Sequence, residues 1–302
     1  MTDFINLPPT EENKVIYRGF YDDADTMRTV RIEEGYEEIA DNAFRDCEML
    51  EEVYLPKSLK RISACAFAGC KSLKRVYMEY GLLEIGDEAF SGCSSLSGVI
   101  VPDTVKRIGE GAFEGCASLS KIKLSESLYV LGAGAFAYCF NLTNVTVPDS
   151  CVLVEFNCFY SCFSLESVKL SDNMTVIDDC TFEGCRSLSI VDMPIRLCKI
   201  GRRAFAGCTS LRSLILPVGT SFLGLDAFFG CSSLARISIP KRLTEIEDLE
   251  LFNGCDSLSE ISYGGDESLF ENLTRGRVIT VQKSDLTVFT PKITFMDLKD
   301  EI

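Results

Sequence analysis

Cysteine is the residue with the most chemical potential in this sequence, and histidine, its usual partner, is missing: the 302 residues hold 15 Cys and no His. Without an imidazole there is no Cys/His or Ser/His/Asp nucleophile, no His-ligated metal and no His-based pH switch. Thiols alone could still form disulfides, hold a soft metal or act as redox groups. Spacing decides among these. Cys recurs at 47, 70, 93, 116, 139, 162, 185, 208 and 231, each 23 residues after the last, and Cys255 follows after 24. No Cys-x-x-Cys occurs. A thiol at one fixed place in a repeating unit reads as a small buried hydrophobe. Stacked copies could approach disulfide range, with Cα atoms roughly 4.4–6.8 Å apart, but an odd count of 15 leaves at least one unpaired. The sequence therefore predicts free, structural thiols. Cys65, Cys151, Cys158, Cys180 and Cys198 lie off this ladder, and Cys65 and Cys180 take a position held elsewhere by Glu88, which predicts partial exposure. Carboxylates are plentiful but never recur as a pair. A phosphate loop, a nucleophile elbow and a calcium loop are all absent. The expectation is a chain that is no enzyme and carries no cofactor or metal.

The elements that position these thiols follow from the same period. Phe stands three residues before each repeating Cys, from Phe44 to Phe252, and Leu three after, from Leu50 to Leu258. A further apolar column runs Ile39, Ile62, Ile85, Ile108, Leu131, Val154, Ile177, Ile200, Leu223, Ile246. The unit reads L-x-x-V-x-L-P-x-x-L-x-x-I-G-x-x-A-F-x-G-C-x-S. V-x-L alternates with period two, the mark of a short strand with one buried face. Pro ends it at 56, 102, 148, 194, 217 and 240, since proline cannot donate a ladder hydrogen bond. I-G predicts a second short extended piece, and A-F-x-G-C a compact turn or single helical turn. One such unit cannot bury its apolar face, whereas stacked units bury a continuous core with strands aligned in parallel. Met27, Val30 and Ile32 extend the register upstream, and Tyr21 aligns with the Phe column. About eleven rungs result, over 27–263, between end segments 1–26 and 264–302 read as caps.

Composition agrees: 46% hydrophobic and 25% charged is a folded protein, and no apolar run reaches membrane-spanning length. The net charge of −15 argues against nucleic-acid binding. It is uneven. Residues 1–52 hold 15 acids and 5 bases, net −10; residues 245–302 hold 13 and 5, net −8; the middle is net +3. Acidic ends suit an open solenoid that must stay soluble and unstacked.

The strand L-x-x-V-x-L-P joined to I-G-x-x-A-F-x-G-C-x-S-L resembles the BspA-like leucine-rich repeat family, over roughly residues 21–263. The tail is similar too, with Ile261-Ser-Tyr263-Gly-Gly leading into a short helix at 267–273 and a last strand at 278–281, although Asp266 and Phe270 replace the family's usual residues there. The resemblance implies an α/β repeat fold: a leucine-rich repeat solenoid, a curved right-handed coil with a parallel β-ladder on one face and turns or helical turns on the other. It implies a protein-binding or surface-interaction role and offers no catalytic residues to carry over.

The informative positions are the outward ones on the strand. Before Val they read Thr29, Glu52, Arg75, Gly98, Lys121, Asn144, Ser167, Ile190, Ser213, Arg236, Glu260; after Val they read Arg31, Tyr54, Tyr77, Ile100, Lys123, Thr146, Lys169, Asp192, Ile215, Ser238, Ser262. A face serving only solubility would be uniformly polar. Tyr54, Arg75, Tyr77 and Ile100 form one candidate patch, Lys121, Lys123 and Lys169 a basic stripe for an acidic partner, and Ile190 and Ile215 further apolar points. Each also has a structural reading: β-branched and aromatic residues stabilise strands, and lysines discourage edge pairing. The expected function is a protein-interaction scaffold of monomeric state. The alternatives are a bacterial surface adhesin and, resting on Tyr54 and Tyr77, a carbohydrate-binding module. The many thiols and the absence of a secretory signal in the residues given favour a cytoplasmic location, with the cell surface as the alternative.

Overall fold

The computed structural model describes residues 14–20, 26–247 and 251–265, together with the backbone of 280–282. Tyr21, Asp266, Phe270 and the expected helix at 267–273 lie outside the described residues. Each period contributes two short strands, one to each of two ladders, and all strand pairs are parallel.

The front ladder contains the V-x-L segments. Its members are β2 (Thr29–Arg31), β4 (Glu52–Tyr54), β6 (Arg75–Tyr77), β8 (Gly98–Ile100), β10 (Lys121–Lys123), β12 (Asn144–Thr146), β14 (Ser167–Lys169), β16 (Ile190–Asp192), β18 (Ser213–Ile215), β20 (Arg236–Ile239), β22 (Glu260–Tyr263) and β23 (Thr280–Gln282). The back ladder contains the I-G segments: β1 (Val15–Ile16), β3 (Glu38–Ile39), β5 (Arg61–Ile62), β7 (Glu84–Ile85), β9 (Arg107–Ile108), β11 (Val130–Leu131), β13 (Leu153–Val154), β15 (Val176–Ile177), β17 (Lys199–Ile200), β19 (Phe222–Leu223) and β21 (Glu245–Ile246). Partners stand 23 residues apart, as in Val30 opposite Val53. The offset becomes 24 at β20–β22, where Arg236 faces Glu260, because of the extra residue between Ile246 and Phe252. The front ladder is interrupted between β6 and β8 and between β16 and β18, and the back ladder between β13 and β15. The last strand overlaps the expected 278–281 segment and pairs with β22.

The expected helical turn is not there. Among the described residues the chain forms no helix, and the α/β expectation gives way to a parallel β-solenoid of stacked coils. The cause is the backbone of A-F-x-G-C. Two residues before each Phe from Phe44 to Phe228 the chain turns left-handed, as at Cys65 (φ 54°) and Glu88 (φ 53°), and two after each Phe it does so again, as at Gly69 (φ 75°) and Gly92 (φ 71°). Left-handed residues cannot continue a right-handed helix. The freed N–H groups point to the next coil instead: Cys65 donates to Asp87 (2.9 Å), Phe67 to Ala89 (2.8 Å) and Gly69 to Ser91 (2.7 Å). The residues between them close tight turns on their own coil, such as Ala68 to Cys65 (3.1 Å) and Cys70 to Phe67 (3.2 Å). The turn side is thus a third hydrogen-bonded ladder.

The core lies inside this three-sided tube. The Phe rings from Phe44 to Phe252 stack nearly parallel, with centroids 5.0 Å apart at Phe44–Phe67 and 5.9 Å at Phe228–Phe252. Beside them each repeating thiol from Cys70 to Cys255 points at the Phe carbonyl of the preceding coil: Cys93 Sγ lies 3.2 Å from the Phe67 oxygen and Cys116 Sγ 3.2 Å from that of Phe90. A thiol is small enough for the column and still a weak donor. All fifteen cysteines are free. Burial pushes the Cys116 and Cys162 thiols up to about 12, so these groups stay protonated and unreactive.

The glycine of I-G has a steric cause. A Cβ on Gly132 would meet the Gly109 carbonyl carbon at 2.5 Å and Glu110 N at 2.6 Å, both backbone. Gly132→Ala is therefore expected to destabilise by about 1–3 kcal/mol through forced separation of two coils. Gly98, whose added Cβ would find Lys121 O no nearer than 3.7 Å, is the matched control. Gly98→Ala should leave stability unchanged or raised. Parallel urea titrations check this, and equal effects would remove the close-approach argument.

Candidate functional site

The pleat of the front ladder turns Val inward and its two neighbours outward, so each variable column becomes a line across the face. In the first, Thr29 faces Glu52, which faces Arg75. In the second, Arg31 faces Tyr54, which faces Tyr77. The register converts spacing into contact. The Tyr54 and Tyr77 rings stack at 4.4 Å between centroids, 11° from parallel. On the other side of Tyr54, the Arg31 guanidinium sits 4.1 Å from the ring centroid, a favourable cation–π distance. Glu52 joins the group: its carboxylate accepts a hydrogen bond from the Tyr54 hydroxyl at 3.1 Å and pairs with Arg75 at 3.3 Å. Partial burial, then the Glu52 carboxylate and the Tyr77 hydroxyl, push the Tyr54 hydroxyl up, so it remains a donor. The Tyr77 hydroxyl, followed by Glu52, raises Arg75, which stays charged. Arg31 and Glu52 complete the cluster although the sequence reading did not single them out. Their signal was membership of the same columns as Tyr54 and Arg75.

Beneath this cluster is a groove of about 210 Å³, walled by Arg31, Tyr54 and Tyr77 and floored by Ile32, Leu55 and Pro56. The groove is smaller than the roughly 300–1,000 Å³ of pockets for drug-sized ligands.

The remaining candidates continue along the same face in separate groups. Ile100 is half exposed at 49% and faces Lys123, while Gly98 faces Lys121. Lys169 is half-buried and faces Asp192. Burial, with help from Asp172 and Asp149, pushes the Asp192 carboxyl up, and Lys169 pulls it down. Ile190 and Ile215 are exposed but stand in different sheet segments, β16 and β18. Tyr54 and Lys169 are five strands apart, roughly 24 Å at ordinary strand spacing. The nine candidates therefore share one face without forming one site. Tyr54, Arg75 and Tyr77 are in mutual reach; Ile100, Lys121 and Lys123 form the next group; Lys169, Ile190 and Ile215 lie beyond.

Electrostatically the stretch from β6 to β14 is distinctive. Its outward columns hold Arg75, Lys121, Lys123 and Lys169 and no carboxylate, in a chain of net charge −15. Elsewhere bases pair between rungs, as Lys71 does with Glu48 at 2.6 Å and Lys74 with Glu51 at 2.7 Å. Lys121 and Lys123 form no ion pair among the described residues. Among those residues no three Cys, Asp or Glu side chains converge to hold a metal ion, and no helix is long and apolar enough to cross a membrane.

The family model for the BspA type leucine rich repeat region matches residues 37–162 and 153–274. The chain belongs to that family. Solved structures of this repeat class resemble it. A leucine-rich repeat protein from Bacteroides ovatus is 25% identical with a TM-score of 0.52, over 92% of this chain and 91% of that one. The T. pallidum leucine rich repeat protein is 28% identical with a TM-score of 0.50, over 68% and 86%. The pneumococcal vaccine antigen PcpA shares the fold at 20% identity and a TM-score of 0.52, over 91% and 76%. No curated protein sequence matches the chain significantly.

Proposed function

We propose that this BspA-type repeat chain is a non-enzymatic protein-binding module that works through the outward face of its front ladder. The observation that carries this reading is the line of Arg31, Tyr54 and Tyr77 running into the unpaired cations Lys121 and Lys123. Stacked tyrosines with an arginine give rigid, amphipathic contact area of the kind that dominates binding hot spots. The carboxylate-free stretch selects a partner with an acidic surface and speeds their encounter. Tyr54 is no sugar platform, because Arg31 and Tyr77 cover both of its faces; the carbohydrate alternative rests on the exposed Tyr77 alone.

Cross-linked capture from native extract tests the reading with wild type, Tyr54→Ala/Tyr77→Ala and Lys121→Glu/Lys123→Glu. The expected result is a partner recovered by wild type, released as salt rises, and lost by both variants. If all three proteins recover the same partners equally, the front face is not the interface.

A further inference from the structure

A second surface lies away from the front ladder, on the back and turn sides of the two coils near the middle of the solenoid. Residues 127–165 contain only two charged side chains, Asp149 and Glu155, in a chain that is 25% charged. Both are occupied: Asp149 Oδ1 accepts the Asp172 N–H at 3.1 Å and Glu155 Oε2 the Ala133 N–H at 3.0 Å. Most of the exposed positions they leave on these two sides are apolar, interspersed with the uncharged Ser127 and Asn141. Tyr129 (58% exposed), Val152, Leu153 and Phe156 (49%) cover the back ladder around β11 and β13, and Tyr138 and Phe140 cover the adjoining turns. Tyr138 is the sharpest of these. It sits at φ 61° in a left-handed column that is Gly in seven of its ten members, so a bulky aromatic is kept where the backbone favours none. Its ring meets Tyr160 edge-on at 5.4 Å, and Phe140 stacks on Phe163 at 4.9 Å.

We propose that this belt is the contact surface of a homodimer, two copies meeting belt to belt across a two-fold axis. Depletion of charge with enrichment of aromatics is the composition of an interface core. The exposed parts of the six side chains amount to about 500 Å² of apolar surface, at the upper end for a patch on a monomer. Complete burial of both patches covers about 1,000 Å², the size of a weak, reversible interface rather than a permanent one. A self-complementary patch is what an isologous contact requires. The belt is also central, between ends of net charge −10 and −8. Two ladders crossing there touch in the charge-poor middle and hold their acidic ends apart. The front ladder stays open, so this contact is independent of the proposed partner face.

Sedimentation velocity of the full chain up to about 100 μM tests this. Wild type should sediment as a dimer in a concentration-dependent way. Leu153→Glu/Phe156→Glu should be monomeric with an unchanged circular dichroism spectrum, since both side chains face solvent. Ile195→Glu/Val218→Glu, which alters exposed apolar residues outside the belt, should remain dimeric. A wild type that is monomeric throughout, or a folded belt variant that still dimerises, overturns the proposal.

Discussion

Phe136→Ala is expected to lower the stability of the protein by about 3–5 kcal/mol. The ring is fully buried and sandwiched between Phe113 at 5.4 Å and Phe159 at 5.6 Å. Its neighbours cannot collapse into the space left behind. Each is fixed to its own coil, and the coils are held in register by Phe113 N–H to Ala135 O and Phe136 N–H to Cys158 O, both 2.8 Å. The cavity therefore persists and its full cost is felt. Because coils contact only their neighbours, the damage should also be local: unfolding should lose cooperativity and begin at the middle of the ladder. Urea unfolding followed by circular dichroism, with hydrogen exchange to place the first opening, measures both effects. Phe229→Ala, at a site 38% exposed, should cost about 1 kcal/mol or less. A loss below that level for Phe136 would show that the stack is not what holds adjacent coils together.

The second large effect is in thiol reactivity. Of the fifteen free cysteines twelve are buried, Cys65 and Cys180 are half-buried and Cys198 alone is exposed. Native protein treated with a thiol-specific reagent near pH 8 should therefore label Cys198 first. Cys180 should follow far behind. Burial and the neighbouring Glu183 carboxylate push its thiol up to about 12, which leaves a thiolate fraction of about 10⁻⁴ at pH 8. A raised value means less thiolate below it, so labelling of Cys180 should quicken about tenfold for each pH unit while the fold persists. Cys65 should be slow for the same causes, burial and then Glu88. The twelve buried thiols should react only after denaturation. Mass spectrometry of the labelled peptides reads all classes at once, and rapid modification of Cys93 or Cys116 in folded protein would contradict the buried column.

Much of this architecture was legible because the repeat is written in side chains. The Val and Leu of each V-x-L, the Phe stack and the Cys column recur with one period, and β-strand alternation then fixes which neighbours face outward. The front strands fall where V-x-L placed them, and the stacked Tyr54 and Tyr77 follow from their sharing a column. Glu88 likewise marked the exposure of Cys65 and Cys180. The turn ladder was hidden, since a short Ala-Phe-x-Gly-Cys segment fits a compact turn or a helical turn equally and nothing in Cys65 or Glu88 advertises a positive φ. The thiol-to-carbonyl contacts were hidden as well, because donor and acceptor such as Cys93 and Phe67 belong to different coils. β1 could have been found: Ile16 stands 23 residues before Ile39, in the same column. The apolar belt went unread because its residues occupy the back and turn columns rather than the strand columns of the front.

The interruptions in the ladders have a mechanical consequence. The front ladder breaks between β6 and β8 and again between β16 and β18, whereas β7–β9 and β17–β19 remain paired behind them. The back ladder breaks between β13 and β15, where β12–β14 and β14–β16 are intact in front. The turn side also bridges that gap through Asn157 N–H to Asp179 O at 3.0 Å and Phe159 N–H to Thr181 O at 3.0 Å. The gaps are staggered like the joints in brickwork, so no single plane cuts all three sides. A pull along the axis is passed sideways around each gap, so the rod offers no line along which to fracture.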